Sequence, residues 1–332
     1  MSTIAIVGAT GAVGQEMLAC IDQRQLPYSE LILLASARSA GKKVNFRGQE
    51  LTIKELTKDS FEGVDIALFS AGGGISKEFA PAAAAAGATV IDNSSAFRMD
   101  DDVPLIVPEI NGELAKSAAR GIIANPNCTT IVSLMALAPL HQAFGLKAVI
   151  GSSYQAVSGS GAQGIIELEE QAKAFANDEA ITPKIYPRQI FSNAIPMIGD
   201  LTPSGYTDEE MKLTKEGAKI LGMDTLRASI TCVRVPVMRS HSVTMTAQFD
   251  RPVSVEAARN AITAFPGVDV IDDPDNGVFP CPLDVTNADN CQVGRLRPSL
   301  VLDNALDLWV VGDQVRKGAA LNAVQIAELL VK

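Results

Sequence analysis

Five cysteines and two histidines occur in 332 residues, and one of each stands where covalent chemistry is possible. Cys128 lies within Asn125-Pro126-Asn127-Cys128-Thr129-Thr130. The apolar run Gly121-Ile122-Ile123-Ala124 before it reads as a buried strand, and Ile131–Leu137 after it reads as a helix. A cysteine at such a junction meets backbone N–H groups and the positive end of a helix, which favour its thiolate. That thiolate can attack a carbonyl, and nearby N–H donors can hold the oxyanion that forms. Position alone does not assign the role, because most cysteines outside disulfides are inert core residues.

A thiol nucleophile needs an acid/base partner with a pKa near neutrality. His241 opens a predicted strand seven residues after Arg234 and fits without tuning. The other histidine, His141, follows Ala138-Pro139-Leu140 near a predicted helix end, where a capping or satisfied core role is expected. The planar fork of Arg234 suits a carboxylate, and the Gln155 amide can orient a carbonyl or a water. Glu209 and Lys212 are three apart on a predicted helix over 207–221, a spacing that by itself predicts a solvated ion pair. Spacing does not show which of these residues meet.

The elements that must position them begin at the N-terminus. Thr3–Val7 is a β-branched apolar run, followed by Gly8-Ala9-Thr10-Gly11-Ala12-Val13-Gly14 and a helical pattern carrying Met17, Leu18 and Ile21. Strand, glycine turn and helix in this order make a dinucleotide site, where glycine lets the backbone approach a pyrophosphate resting on a helix N-terminus. A second strand, Leu31–Ala35, ends at Ser36, Arg38 and Ser39. An NAD site usually places a carboxylate there for the ribose 2′-hydroxyl; these residues suit a 2′-phosphate, so NADP is expected. Asp65–Ser70 is a further strand ending in Gly72, Gly73 and Gly74. Ala88–Asp92 leads to a polar loop ending at Arg98, and Leu105–Glu109 with Asn111–Ala119 reads as one more strand and helix. Alternating βα units predict a doubly wound sheet. Its carboxyl edge would gather Gly11, Gly72, Arg98 and Cys128 into one crevice.

Past Cys128 the pattern changes. Lys147–Tyr154 is a long strand, Glu167–Ala176 a helix, and Pro183–Pro203 irregular and proline-rich. Ala228–Val237 and Ser242–Phe249 read as antiparallel strands joined through Met238–His241. The terminal helix, Gly318–Leu330, has one apolar face that predicts packing against the first domain. The expected division is a cofactor domain over 1–127 completed by 315–332, and an α+β catalytic and dimerisation domain over 128–314.

The composition is that of an ordinary globular protein, with 47% hydrophobic and 20% charged residues. A net charge of −10 disfavours nucleic acid and anionic membranes, so an anionic ligand must be drawn in by local basic residues. The scattered cysteines contain no CxxC pair, and neither a disulfide framework nor a metal site is expected. No basic leader precedes the first strand, and no apolar run has the length of a membrane span. The expected location is cytoplasmic.

The chain resembles the aspartate-β-semialdehyde dehydrogenase family over essentially its whole length. The resemblance rests on the Gly8–Gly14 turn, Ser94-Ser95-Ala96-Phe97-Arg98, Asn125–Cys128, Tyr154–Gly159, Glu209–Lys212, Cys232–Pro236 with His241, and Gly318–Glu328. It implies that Cys128 is the nucleophile, His241 the acid/base and Gln155 the residue that orients the reacting group. It implies that Arg234 binds the substrate α-carboxylate and Glu209 the α-amine, with Asn127 also binding substrate. Arg98 and Lys212 fall where the family binds phosphate. NADP would contact Gly8, Thr10, Gly11, Ala12, Val13, Ser36, Arg38, Ser39, Ser70, Gly72, Ser158, Gly159 and Gln314. The implied reaction is reductive dephosphorylation of L-aspartyl 4-phosphate by NADPH, through a cysteine thioester, to L-aspartate 4-semialdehyde. That step serves lysine (through diaminopimelate), threonine and methionine biosynthesis, in a homodimer. Asp313-Gln314 departs from a common Asp-Asn pair near the nicotinamide. The nearest rival, N-acetyl-γ-glutamyl-phosphate reductase, typically has glycine before the cysteine and an aromatic after it, unlike Asn127 and Thr129. A non-catalytic NADP-binding protein would have no need of Cys128, Arg234 and His241 together.

Overall fold

The computed structural model describes residues 1–331 and divides into two compact units. One runs from Cys128 to Gly318; the other takes Met1–Asn127 and the chain from Ala319 onward.

The first unit is built on a six-stranded parallel sheet. Its strands are β1 (Ser2–Val7), β2 (Tyr28–Ala35), β5 (Lys54–Glu55), β6 (Ile66–Phe69), β7 (Thr89–Asp92) and β8 (Ile122–Ala124), in the order β5-β2-β1-β6-β7-β8. A side hairpin, β3 (Lys43–Phe46) with β4 (Gln49–Thr52), accounts for the missing numbers. Parallel strands are covered on both faces, which is why β1, β6 and β8 are continuous apolar runs. The chain returns at its end: Leu321, Ala323, Val324, Ile326 and Ala327 of the Leu321–Glu328 helix lie in the same core as Ile4, Ile6 and Leu68. Because every pair is parallel, the loops after β1, β2, β6, β7 and β8 all leave from one edge. The expected strand at 105–109 is absent. Leu105 makes only an isolated bridge to Ala124, since Pro104 and Pro108 flank the run and proline lacks a ladder donor.

The second unit holds a mixed sheet of β9 (Leu146–Gln155), β10 (Arg227–Arg234), β11 (His241–Phe249), β12 (Val268–Val270), β13 (Cys291–Pro298) and β14 (Ala305–Gly312). The order is β10-β9-β11-β14-β13-β12. β10 and β11 run in opposite directions but are not neighbours, which corrects the sequence expectation. β9 lies between them, parallel to β10 and antiparallel to β11. Val157 N–H donates to Val237 O and Ser158 N–H to Met238 O, so residues 235–240 cross the end of β9 instead of closing a hairpin.

Candidate active site

Register does most of the positioning in the second unit. Arg234 pairs with Gln155 at the end of β10 and β9. Ser242 pairs with Tyr154, and His241 pairs with Gly312. Arg234, Gln155 and His241 therefore stand at the same end of three adjacent strands, with Asp313-Gln314 next along. Cys128, half-buried, is the first residue of the Cys128–Phe144 helix. A Cβ on Gly318 would fall 2.9 Å from Cys128 Cβ, so a residue without a side chain is required beside the thiol.

Gln155 is the hub of a polar chain. Its Nε2 donates to Thr129 Oγ1, on the residue after Cys128, and to Glu209 Oε1 at 3.1 Å. Glu209 Oε2 accepts from Lys212 Nζ at 2.6 Å. The Glu209–Lys212 pair is thus drawn into the site rather than solvated, with the Glu209 side chain only 11% exposed. Thr129 was visible in the sequence only as part of the cysteine motif, because its partner depends on strand register.

His241 is fully enclosed. Its Nδ1 accepts from the Ala156 N–H at 3.0 Å, which leaves the proton of the neutral ring on Nε2. Burial pushes the imidazole pKa down to about 3; the nearby Arg234 guanidinium adds to the fall, and Glu209 opposes it. Gly159 lets these groups approach, since a Cβ there would lie 2.9 Å from Arg234 Nη1 and 3.2 Å from His241 Cε1. Cys232 differs in kind from Cys128: it is buried on β10, where burial raises its thiol to about 12. His141 accepts from the Leu146 N–H at 3.1 Å at its helix end, a capping arrangement.

Both ends of the Gln314 amide are engaged by protein. Nε2 donates to Ser158 Oγ, and Oε1 accepts from the Ser240 N–H at 2.8 Å. Its side chain therefore ties the turn at 158 to the residue preceding His241. Asp313, wholly buried, accepts from Arg239 Nε at 2.7 Å and from the Asn287 N–H at 2.8 Å.

In the first unit the expected cofactor residues share the carboxyl edge of the sheet. Gly8 has φ +87°, and a Cβ on it would come within 2.9 Å of the Ser70 carbonyl. Thr10 is exposed, and Gly11 caps the Ala12–Gln23 helix without a side-chain hydrogen bond or an acidic residue in the first turn, as an anion site requires. Ala12 and Val13 open that helix, and Gly14 packs against the Gly8–Ala9 backbone. Gly72 has φ +89° at the start of a second uncapped helix, and Cβ atoms built on Gly72, Gly73 or Gly74 would meet open space. Ser36 and Arg38 are exposed and Ser39 half-buried after β2. Ser70 Oγ donates to Val7 O at 3.2 Å. This edge fits a dinucleotide. Arg98 is buried after β7 and donates to Asn125 O at 2.9 Å and Asn93 O at 2.8 Å, joining two loops of the edge. Asn127 is also buried. Among the described residues, no group of three or more His, Cys, Asp and Glu side chains could hold a metal ion. No helix among them is long and apolar enough to cross a membrane.

A nucleotide-type parallel sheet followed by a domain built on a mixed sheet is the plan of a semialdehyde dehydrogenase. Residues 3–118 match the model for the semialdehyde dehydrogenase NAD binding domain, and residues 137–317 match its dimerisation domain. Aspartate-semialdehyde dehydrogenase of Aquifex aeolicus is 50% identical over 99% of this chain and 98% of its own. The Bacillus subtilis enzyme of that name is 49% identical over 99% and 97%. The crystal structure of Vibrio cholerae aspartate semialdehyde dehydrogenase II complexed with ASA superposes with a TM-score of 0.97, at 42% identity and 99% and 98% coverage. The Candida albicans enzyme with NADP gives 0.76 at 25% identity, covering 99% and 98%. The chain belongs to the aspartate-semialdehyde dehydrogenase family, and so to the oxidoreductases with a nicotinamide-cofactor domain.

Proposed function

We propose that this chain reduces L-aspartyl 4-phosphate to L-aspartate 4-semialdehyde and phosphate, reversibly, with NADPH as reductant. The observation that carries this reading is the convergence of Arg234, Gln155 and His241 at one end of three strands, with Thr129, next to Cys128, tied to Gln155. Family membership and the names of the relatives support the substrate.

In this mechanism the Cys128 thiolate attacks the acyl phosphate carbonyl, the C–O bond to phosphate breaks, and a thioester forms. Thiolate is both a strong nucleophile and a good leaving group, which suits a two-stage reaction. Bound NADPH would supply the hydride that adds to the thioester carbonyl; the C–S bond then breaks as the carbonyl re-forms, releasing the aldehyde and returning Cys128 to its thiolate. His241, neutral at physiological pH, presents Nε2–H as a hydrogen-bond donor to the carbonyl oxygen as charge develops. It becomes a proton donor only when charged, which burial and Arg234 oppose. An anion on Arg234 would remove one of those two opposing causes. Arg234 takes the α-carboxylate, Glu209 the α-ammonium, and Lys212 and Arg98 the phosphate; Gln155 and Asn127 flank the reacting group. Gly8, Thr10, Gly11, Ala12 and Val13 would cradle the pyrophosphate. Ser36, Arg38 and Ser39 would take the 2′-phosphate that distinguishes NADP from NAD. Ser70, Gly72, Ser158 and Gly159 would line the nicotinamide side. Gln314 would act there by holding Ser158. The functional form is a homodimer through the second unit, in keeping with the dimerisation-domain match. Its product would feed lysine, threonine and methionine synthesis in the cytoplasm.

The test is the reverse reaction with aspartate semialdehyde, phosphate and NADP, followed by absorbance of reduced cofactor. Phosphate-dependent turnover is expected, with loss of at least about 10⁴-fold in Cys128→Ala, as when a nucleophile is removed. Turnover only with N-acetylglutamate semialdehyde would move the assignment to the rival reductase.

A further inference from the structure

The Arg234 guanidinium is held from two sides. Nη1 donates to the Ala156 carbonyl at 2.6 Å, and the guanidinium carbon lies 5.9 Å from the centroid of the Tyr186 ring. Cationic groups within about 6 Å of an aromatic face are attracted by its negative quadrupole. Tyr186 Oη donates to Val157 O at 3.2 Å, which anchors the ring to the turn that carries Ala156. Gly164 makes room for it: a Cβ there would lie 2.6 Å from Tyr186 Oη.

Tyr186 belongs to an irregular segment that is nevertheless pinned along its length. Glu167 of the Ala162–Ala176 helix is buried and accepts from the N–H groups of Lys184 and Ile185. Gln171, one turn on, accepts from the N–H groups of Ile190 and Phe191, each at 2.9 Å. Ile195 and Arg234 exchange both backbone hydrogen bonds, at 2.9 and 2.8 Å. Ile190 and Ile195 of the same segment are buried in a small apolar cluster with Val157 and Leu168, against which Tyr186 and Phe191 pack. The buried Glu167 and Gln171 are satisfied by the backbone N–H groups they accept from, so the loop keeps one position. Among the described residues, side-chain hydrogen bonding of Arg234 to protein goes through Nη1, so the other N–H groups of the fork can receive a carboxylate whose angle depends on the guanidinium plane.

We propose that Tyr186 is a positioning residue: its ring, seated by Glu167 and Gln171, holds the Arg234 guanidinium in the orientation that receives the substrate α-carboxylate. The inference rests on the assignment of Arg234 to that carboxylate. Preorganising the fork lowers the ordering cost of binding, so the effect falls on recognition of the carboxylate.

The test compares Tyr186→Leu, Tyr186→Phe and progressively fluorinated phenylalanines at position 186. Substrates are aspartate semialdehyde and 3-aminopropanal, the same aldehyde without the carboxylate. Tyr186→Leu is expected to lower kcat/KM for aspartate semialdehyde about tenfold, mainly through KM, and to leave 3-aminopropanal unaffected. Tyr186→Phe should restore most of the loss, and fluorination, which keeps the volume but removes the negative ring face, should restore the defect stepwise. Equal losses on both aldehydes, or a flat fluorination series, would overturn the proposal. If Tyr186→Leu does not fold, the fluorinated series decides alone. Wild-type activity with an unchanged Tyr186→Leu removes only this proposal; wild-type inactivity on aspartate semialdehyde removes the functional reading and the proposal together.

Discussion

His241 carries the clearest consequence at the scale of single residues. It is buried without charge, and its Nδ1 is committed to the Ala156 N–H. The folded state holds its pKa near 3, against 6.5 for the free side chain. Between those values the unfolded chain binds the extra proton, so stability rises with pH across the window and is lost as pH falls from 6.5 toward 3. Thermal melts from pH 7 to pH 4 should therefore show a declining Tm, and His241→Gln should decline less steeply. Parallel slopes for both proteins would show that the ring is not held neutral. The same environment makes His241 a hydrogen-bond donor at Nε2 in the resting state; an anion on Arg234 would relieve the smaller of the two causes that lower its pKa, and burial, the larger, would remain.

At the scale of elements, glycines set how closely the reactive groups approach. Gly318 abuts Cys128, and Gly159 abuts both Arg234 and His241. Gly318→Ala should displace the thiol by a fraction of an ångström and lower kcat by roughly a hundredfold. Tm should change little, because alanine is intrinsically favoured over glycine in helical conformation. Unchanged kcat would mean that the thiol does not need this seat. Local elements were readable in the sequence because their signals are local. The strand–glycine–helix unit at 3–21 and the strand–cysteine–helix unit at 121–137 depend on periodicity and punctuation within a few residues. What escaped depended on partners far away in the chain. β9 slots between β10 and β11 although 71 residues lie between Gln155 and Arg227. Leu105 reads as a strand by composition, but it finds only a bridge. Tyr186 lies in a stretch with no periodicity at all, and its fixed position shows only in the fold, where the segment's backbone N–H groups donate to Glu167 and Gln171 and Tyr186 Oη donates to Val157 O.

For the whole molecule, the proposed reaction divides between two units with different duties. The first presents uncapped helix ends and glycine turns along one sheet edge, fitted to a dinucleotide; the second holds Cys128, Gln155, Arg234 and His241, the groups proposed to carry acyl transfer. In the proposed reaction a chain of net charge −10 would have to draw an anionic substrate to a few cations, a need that Lys212 and Arg234 of the second unit would meet. The central claim is that Cys128 carries the acyl group between the redox and phosphate steps. Rapid mixing of the protein with aspartate semialdehyde and NADP in the absence of phosphate tests it most directly. A burst of reduced cofactor not exceeding the protein concentration is expected, with an aspartyl thioester on the Cys128 peptide and release of that group on adding phosphate. A burst that persists in Cys128→Ala, or continuous phosphate-independent turnover with no acyl group on Cys128, would contradict it.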